Sequence, residues 1–234
     1  MSASVSVPPR SPIDGPILAF DASAAACSVA IRANGDSVAW RDAPMARGHA
    51  ETLMPLVMAT MAEAGLAFDA LARIAVGVGP GSFTGIRIAL AAARGIGLAA
   101  SRPVVGIDSF SAMAAAIAPS ILAGRSLLVI VDSKRAELFG QYFDANHCPL
   151  GDPLMLPPAT MLQHRPAGAL LIAGDAAGQF PPGLDIIRAE AAGRPDARDI
   201  ARLAEQGCGL LEPRPLYLRA ADVTLPAARS KTAP

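Results

Sequence analysis

Residues 75–101 read AVGVGPGSFTGIRIALAAARGIGLAAS, and this stretch decides the fold. It reads as a strand, a glycine turn and a long helix. Ile74, Val76 and Val78 alternate with small residues, as in a buried strand. Gly79-Pro80-Gly81 ends the strand and permits a positive φ. Ser82 stands where its hydroxyl caps the helix that follows. Along that helix Gly85, Ala89, Ala93 and Gly97 recur every four residues as one ridge of small side chains. Phe83, Ile86, Leu90 and Ile96 run beside it. Each helical glycine costs about 1 kcal/mol against alanine, so the ridge must serve close packing. Its neighbour is either another element of this domain or a helix of a partner chain.

The glycine turn is not a nucleotide loop. A Walker loop needs Gly, four residues, then Gly-Lys-Ser/Thr, whereas Thr84 stands five residues after Gly79 and no lysine is near. The G-x-G-x-x-G pattern fails at the same Thr84.

Upstream, ILAF (17–20) is a buried strand ending at Asp21-Ala22-Ser23 and followed by a short alanine-rich turn. CSVAIRA (27–33) and the stretch 36–40 complete an antiparallel meander, joined by the type I′ hairpin signal Asn34-Gly35. His49 to Gly65 reads as a helix with Leu53, Leu56, Val57 and Met61 on one stripe and Pro55 inside it. Downstream come a strand at 103–107 and a helix at 109–117 ended by Pro119. The pattern then restarts. LLVIVDSKRAELFGQYF (127–143) repeats strand, Asp-Ser, turn and strand, with Asp132 standing 111 positions after Asp21. Residues 170–173 form another strand. Asp196 caps a helix over 197–206, and residues 215–219 read as a short terminal strand. The expected organisation is a disordered leader (1–15), an N-terminal α/β half (16–118), a shorter C-terminal half (119–224) and a loose tail (225–234).

Composition limits the function classes. Of the 234 residues 52% are hydrophobic and 17% charged, enough for a sizeable core of Ala, Leu, Ile and Val. Net charge is zero and Lys134 and Lys231 are the only lysines, so the chain alone is a poor match for tRNA or DNA. Three widely spaced cysteines, Cys27, Cys148 and Cys208, suit reduced thiols in the cytosol. No signal peptide and no membrane span is expected. His49, His147 and His164 are scattered and make no His-x3-His pair, so no metal site is expected. Asp21 and Ser23 at a strand end, with Asp132, are candidates for a vestigial nucleotide site. The plainer reading has Ser23 and Asp21 satisfying the turn backbone.

ILAFDASAAACSVAI, GHAETLMPLV, GVGPGSFTGIRIALAAARGIGLA and PLYLRAADV, in that order, resemble the TsaB (YeaZ) family of the bacterial tRNA threonylcarbamoyladenosine (t6A) machinery over about residues 16–224. The resemblance implies an actin-like (ASKHA, Hsp70/actin-like ATPase) α/β fold of two similar halves, the second truncated. It implies a non-catalytic, cytoplasmic dimerisation subunit that binds the transferase TsaD, with the ATPase TsaE joining the assembly. TsaD modifies N6 of the adenosine beside the anticodon. ATP and a metal are expected on those partner subunits and none on this chain, with tRNA met only inside the complex. The family's contact with TsaD is made by the first two helices. That places His49, Glu51, Leu53, Leu56, Phe83, Gly85, Ile86, Ala89, Leu90 and Ala93 at the interface, and a homodimer through the same patch follows as a by-product. The His-x3-His of TsaD-like proteins falls on Ser109 and Met113, which are poor hard-metal ligands. Family members usually carry Asp-Thr-Ser-Thr-Glu where this chain has Asp21-Ala22-Ser23-Ala24-Ala25, which weakens ligand binding there. The alternatives are an actin-fold, ATP-using kinase-like enzyme around Asp21 and Asp132, and a metallopeptidase.

Overall fold

The computed structural model describes residues 13–180 and 192–218. Apolar alternation builds two sheets. The first holds five strands, β1 (Ile17–Ala24), β2 (Ala26–Ala33), β3 (Asp36–Pro44), β4 (Arg73–Gly77) and β5 (Val104–Ile107), in the order β3-β2-β1-β4-β5. β1 is central, antiparallel to β2 and parallel to β4, with Leu18 opposite Ile31 and Ile74. Its side chains alternate between two buried faces. Leu18, Phe20 and Ala22 join Ile74, Val76 and Val78 beneath α1 (His49–Glu63) and α2 (Phe83–Ala100). Ile17 and Ala19 join Ala75 and Ile107 on the other face, beneath α3 (Ser109–Ala115) and α6 (Ala197–Gln206). The α4 (Pro119–Leu122) and α5 (Pro158–Met161) helices are single turns.

The second sheet, β6 (Ser126–Val131), β7 (Leu138–Phe143), β8 (Leu154–Leu156) and β9 (Leu170–Gly174), has the order β8-β7-β6-β9. β6 pairs antiparallel with β7 and parallel with β9, as β1 does with β2 and β4. The Asp21/Asp132 repeat is therefore a repeat of topology, and the fold is the two-halved actin-like one. Phe110, Met113 and Ile117 of the α3 segment pack on Leu127 and Val129 of the second sheet, while Ala112 packs in the core of the first. One helix thus serves both halves.

Local signals hold. Asn34 and Gly35 take positive φ, 53° and 85°, as a type I′ hairpin requires. Asp196 Oδ1 accepts the Arg198 N–H at 2.8 Å and starts α6. A second device there was not legible: Ser28 Oγ on β2 accepts the Ala197 N–H at 3.0 Å.

Several expectations are corrected. β1 does not stop at Asp21. It runs to Ala24 through a register shift between Asp21 and Ala24, where the Ser23 N–H donates to Asp21 Oδ1. Pro119 starts α4 at its first position as well as ending what precedes it. Residues 197–218 were assigned to the second half, yet α6 packs on the first sheet. Arg32 and the Gly35 N–H both reach Glu205, and Arg194 holds Asp42 through two bonds of 2.7 and 2.6 Å. Residues 215–218 form no strand. Pro213 and Pro215 interrupt pairing, and the segment is an extended strap held by the Leu211–Gly106 bridge and the Leu216 N–H to Val78 O bond of 2.9 Å. Arg219, most of the leader and the tail lie outside the described residues.

The α2 helix has the length and composition of a membrane span, but Ile86, Ala89, Leu90, Ala93 and Ile96 are buried on the sheet. It is a core helix. Among the described residues all three cysteines are free thiols.

Candidate functional site

The turn before α2 forms as its residues dictate. Gly79 has φ 94°, and Ser82 Oγ accepts the Gly85 N–H at 3.2 Å. The small ridge then meets the sheet. A Cβ on Gly85 would lie 1.8 Å from Ala22 O, and one on Gly97 would lie 2.4 Å from Val104 Cγ2. Ala89 and Ala93 are fully buried. The close neighbour is β1 of the same chain, which corrects the expectation that Gly85, Ala89 and Ala93 face a partner. Ile86 and Leu90 of α2 and Leu53 of α1 are buried with them for the same reason. His49 is half-buried, with Nε2 3.0 Å from Ala24 O. Leu56 is half-buried against the core. Of the residues assigned to the interface, Glu51 and Phe83 stand exposed.

The outer face of the two helices carries a different set. Met54 and Met58 of α1 are exposed, and α2 presents Phe83, Arg87, Ala91, Gly95, Leu98 and Ala99. Leu98 is 84% exposed, Phe83 60% and Met58 54%. Beside them lies an apolar groove of about 600 Å³ lined by Met54, Phe68, Ala92, Gly95 and Ile96, among others. A Cβ on Gly95 meets nothing within 4 Å, so this glycine is not required by packing inside the chain. The missed signal was a second four-residue stripe, Phe83-Arg87-Ala91, running on to Leu98, and the apolar Met54 and Met58 on what would be the polar side of α1.

Asp21, Ser23 and Ser109 meet at the end of β1. The Ser23 N–H and Oγ–H donate to Asp21 Oδ1 at 2.8 and 3.0 Å, and Ser109 Oγ lies 3.4 Å from Ser23 Oγ. Asp21 Oδ2 is buried without a partner and abuts Gly77, where a Cβ would sit 1.8 Å away. Burial pushes the Asp21 carboxyl up to about 6, against weaker lowering by Ser23, Arg194 and His49. The arrangement offers no phosphate cradle. Ser23 O accepts the Ser82 N–H at 2.6 Å, and Gly81 presses against the same carbonyl. Ala22, Ala24 and Ala25 bring no side-chain donor.

Asp132 is not joined to this cluster by any hydrogen bond or ion pair among the described residues. It accepts Lys134 Nζ at 2.9 Å and the Lys134 N–H at 2.7 Å, and its own N–H goes to Asp175 Oδ1. Lys134, 81% exposed, makes a surface pair with this carboxylate. Among the described residues no cluster of His, Cys, Asp and Glu suits a metal ion.

The buried carboxyl has a measurable consequence. A folded-state pKa above the unfolded value means the neutral acid fits the fold, so stability is full below about pH 4 and is lost as pH rises through about 6. Asp21→Asn is therefore expected to raise stability by roughly 3 kcal/mol at pH 8 and by almost nothing at pH 4. Thermal melts of both proteins across that range check it. Equal shifts at both pH values would show that the carboxylate is not the cause.

Residues 43–154 match the model of a family described as TsaD, tRNA N6-adenosine threonylcarbamoyltransferase. The chain is 32% identical over 123 residues to the tRNA threonylcarbamoyladenosine biosynthesis protein TsaB of Haemophilus influenzae, a match covering 53% of this chain and 51% of that protein. It is equally 32% identical over 123 residues to the Escherichia coli K12 protein of the same name, covering 53% and 52%. The chain thus spans about half the length of the curated relatives it matches. The crystal structure of a Pseudomonas aeruginosa protein "with similarity to peptidase YEAZ" superposes with a TM-score of 0.74 at 28% identity, covering 88% of this chain and all of that one.

Proposed function

The chain belongs to the TsaB/YeaZ family, and from that premise we propose that it is a non-catalytic docking subunit for t6A formation in tRNA. Its partner in this reading is TsaD, which transfers the threonylcarbamoyl group, and TsaE joins the assembly. The chain works in the cytoplasm and meets tRNA only within the complex.

The observation that carries the reading is the outer face of α1 and α2. These helices satisfy their inner faces on the first sheet and still present Met58, Phe83 and Leu98 to water. Large apolar side chains left exposed along two neighbouring helices suit an interaction surface. Gly95 and Ala91 leave room between them for another helix to approach closely.

The non-catalytic part rests on side-chain chemistry. Ser109 and Met113 take the positions where TsaD-like proteins carry their histidine pair, and both are buried in α3. A methionine thioether and a serine hydroxyl make a poor hard-metal pair. The turn at Ser23, closed by the Ser82 N–H and bare of side-chain donors at its alanines, supports placing the nucleotide and metal on the partner subunits.

Co-expression with TsaD of the same organism, followed by size-exclusion chromatography, tests the reading. A one-to-one species is expected. Separate elution of two folded proteins, persisting with TsaE, ATP and tRNA present, would overturn it.

A further inference from the structure

We propose that Arg87, seated on Phe83 and flanked by Tyr217, is the charged anchor of the docking face and takes a carboxylate from a helical protein partner. The C-terminal strap is the device that positions it. The inference rests on the docking reading above and adds the charge that gives it register and specificity.

The guanidinium carbon of Arg87 lies 3.3 Å from the centroid of the Phe83 ring and 5.4 Å from that of Tyr217. The two rings stack with centroids 6.0 Å apart and planes 28° from parallel. The Phe83 face thus supports the guanidinium while the Tyr217 ring flanks it from the side. Among the described residues no carboxylate lies within ion-pair distance of Arg87. The other arginines bordering α2 are engaged: Arg94 donates to Pro213 O and Arg102 to Asp69 O. Elsewhere in the fold, arginines hold Glu205, Glu63, Asp42, Asp196 and Asp199. Arg87 is set up for a planar acceptor that the described residues do not supply.

Tyr217 comes from far away in sequence, and its place is determined. The Leu216 N–H donates to Val78 O at 2.9 Å, Leu211 bridges Gly106, and Pro213 O accepts from Arg94. The strap thus runs across the edge of the first sheet and delivers one aromatic ring to the start of α2. Phe83 and Tyr217 remain exposed, so the cluster is not a buried structural knot.

The occupant is a protein helix with an exposed carboxylate. Arg87 shares its stripe with Ala91 and Leu98, which suit an apolar helix surface, and aromatic-plus-arginine clusters are the usual anchors of protein interfaces. An RNA backbone would ask for several cations in a row. Among the described residues the stripe carries a single arginine, and the chain has zero net charge with only two lysines.

The test is titration calorimetry of the full chain against purified TsaD of the same organism, at two salt concentrations. Leu98→Glu serves as the reference for the docking face, and Arg214→Ala controls for loss of a nearby charge. Arg87→Ala is expected to weaken binding about 30-fold and to flatten its salt dependence. Arg87→Gln, which keeps the stem on Phe83, shows the same loss. Tyr217→Ala weakens binding about 10-fold with the same flattening, and Tyr217→Phe restores both affinity and salt dependence. If Leu98→Glu abolishes binding while Arg87→Ala stays within twofold of wild type, the docking reading stands and the anchor is wrong. If neither variant changes binding, both are wrong. Normal TsaD binding by Arg87→Ala, with weaker tRNA binding by the assembled complex, would reassign the cluster to RNA and overturn the proposal.

Discussion

Gly85→Leu is expected to lose at least about 3 kcal/mol of stability, because overpacking against a backbone that cannot yield is the costliest kind. The first atom of the new side chain would already lie 1.8 Å from Ala22 O, on the central strand of the first sheet. No rotamer relieves that contact, since it involves the Cβ itself. Either α2 lifts from the sheet, exposing Ile86, Ala89 and Leu90, or β1 shifts and strains its pairing with β2 and β4. A melting temperature lower by about 10 °C, or failure to obtain soluble protein, is the expected result for a domain of this size. A melt within two degrees of wild type, measured by circular dichroism, would mean that the ridge is not packed on β1.

Gly95→Trp on the same helix should do the opposite. A Cβ at Gly95 meets nothing within 4 Å, so the chain stays folded, and replacing a helical glycine removes a cost of about 1 kcal/mol. Docking, however, needs the close approach that Gly95 permits beside Ala91 and the groove lined by Met54 and Phe68. An indole there holds a partner helix away, and affinity for TsaD should fall by at least about 100-fold, the scale of a central hot spot. Pull-down of TsaD with the folded variant checks this. Undiminished recovery would place the contact elsewhere. The two glycines, ten residues apart, thus separate packing from docking.

Much of this fold was legible because local chemistry and global topology agree. Asn34-Gly35 specified a hairpin, Ser82 and Asp196 specified helix starts, and the recurrence of Asp21 at Asp132 pointed to strands that prove to share one topology. What misled was a pattern with two physical causes. A four-residue Gly/Ala ridge lets any backbone approach, and periodicity cannot tell whether that backbone is a partner helix or β1. Helical spacing alone gave each face of α2 an equal claim. Only the sheet shows that Gly85 faces inward and Leu98 outward. The return of α6 to the first sheet was hidden for another reason. It depends on side chains more than 150 positions apart, Glu205 with Arg32 and Arg194 with Asp42, which no local window contains. The same holds for Tyr217 against Phe83. The closure of the turn onto Ser23 O depends on backbone geometry that composition does not reveal.

The central claim is that the outer face of α1 and α2 docks TsaD while this chain does no chemistry. Size-exclusion chromatography of TsaD co-expressed with wild-type chain and with Leu98→Glu tests it most directly. Leu98 is 84% exposed, so the charge leaves the fold intact. The account predicts a one-to-one complex with the wild type and two separate, folded proteins with Leu98→Glu. A complex of equal size and recovery from both would contradict it.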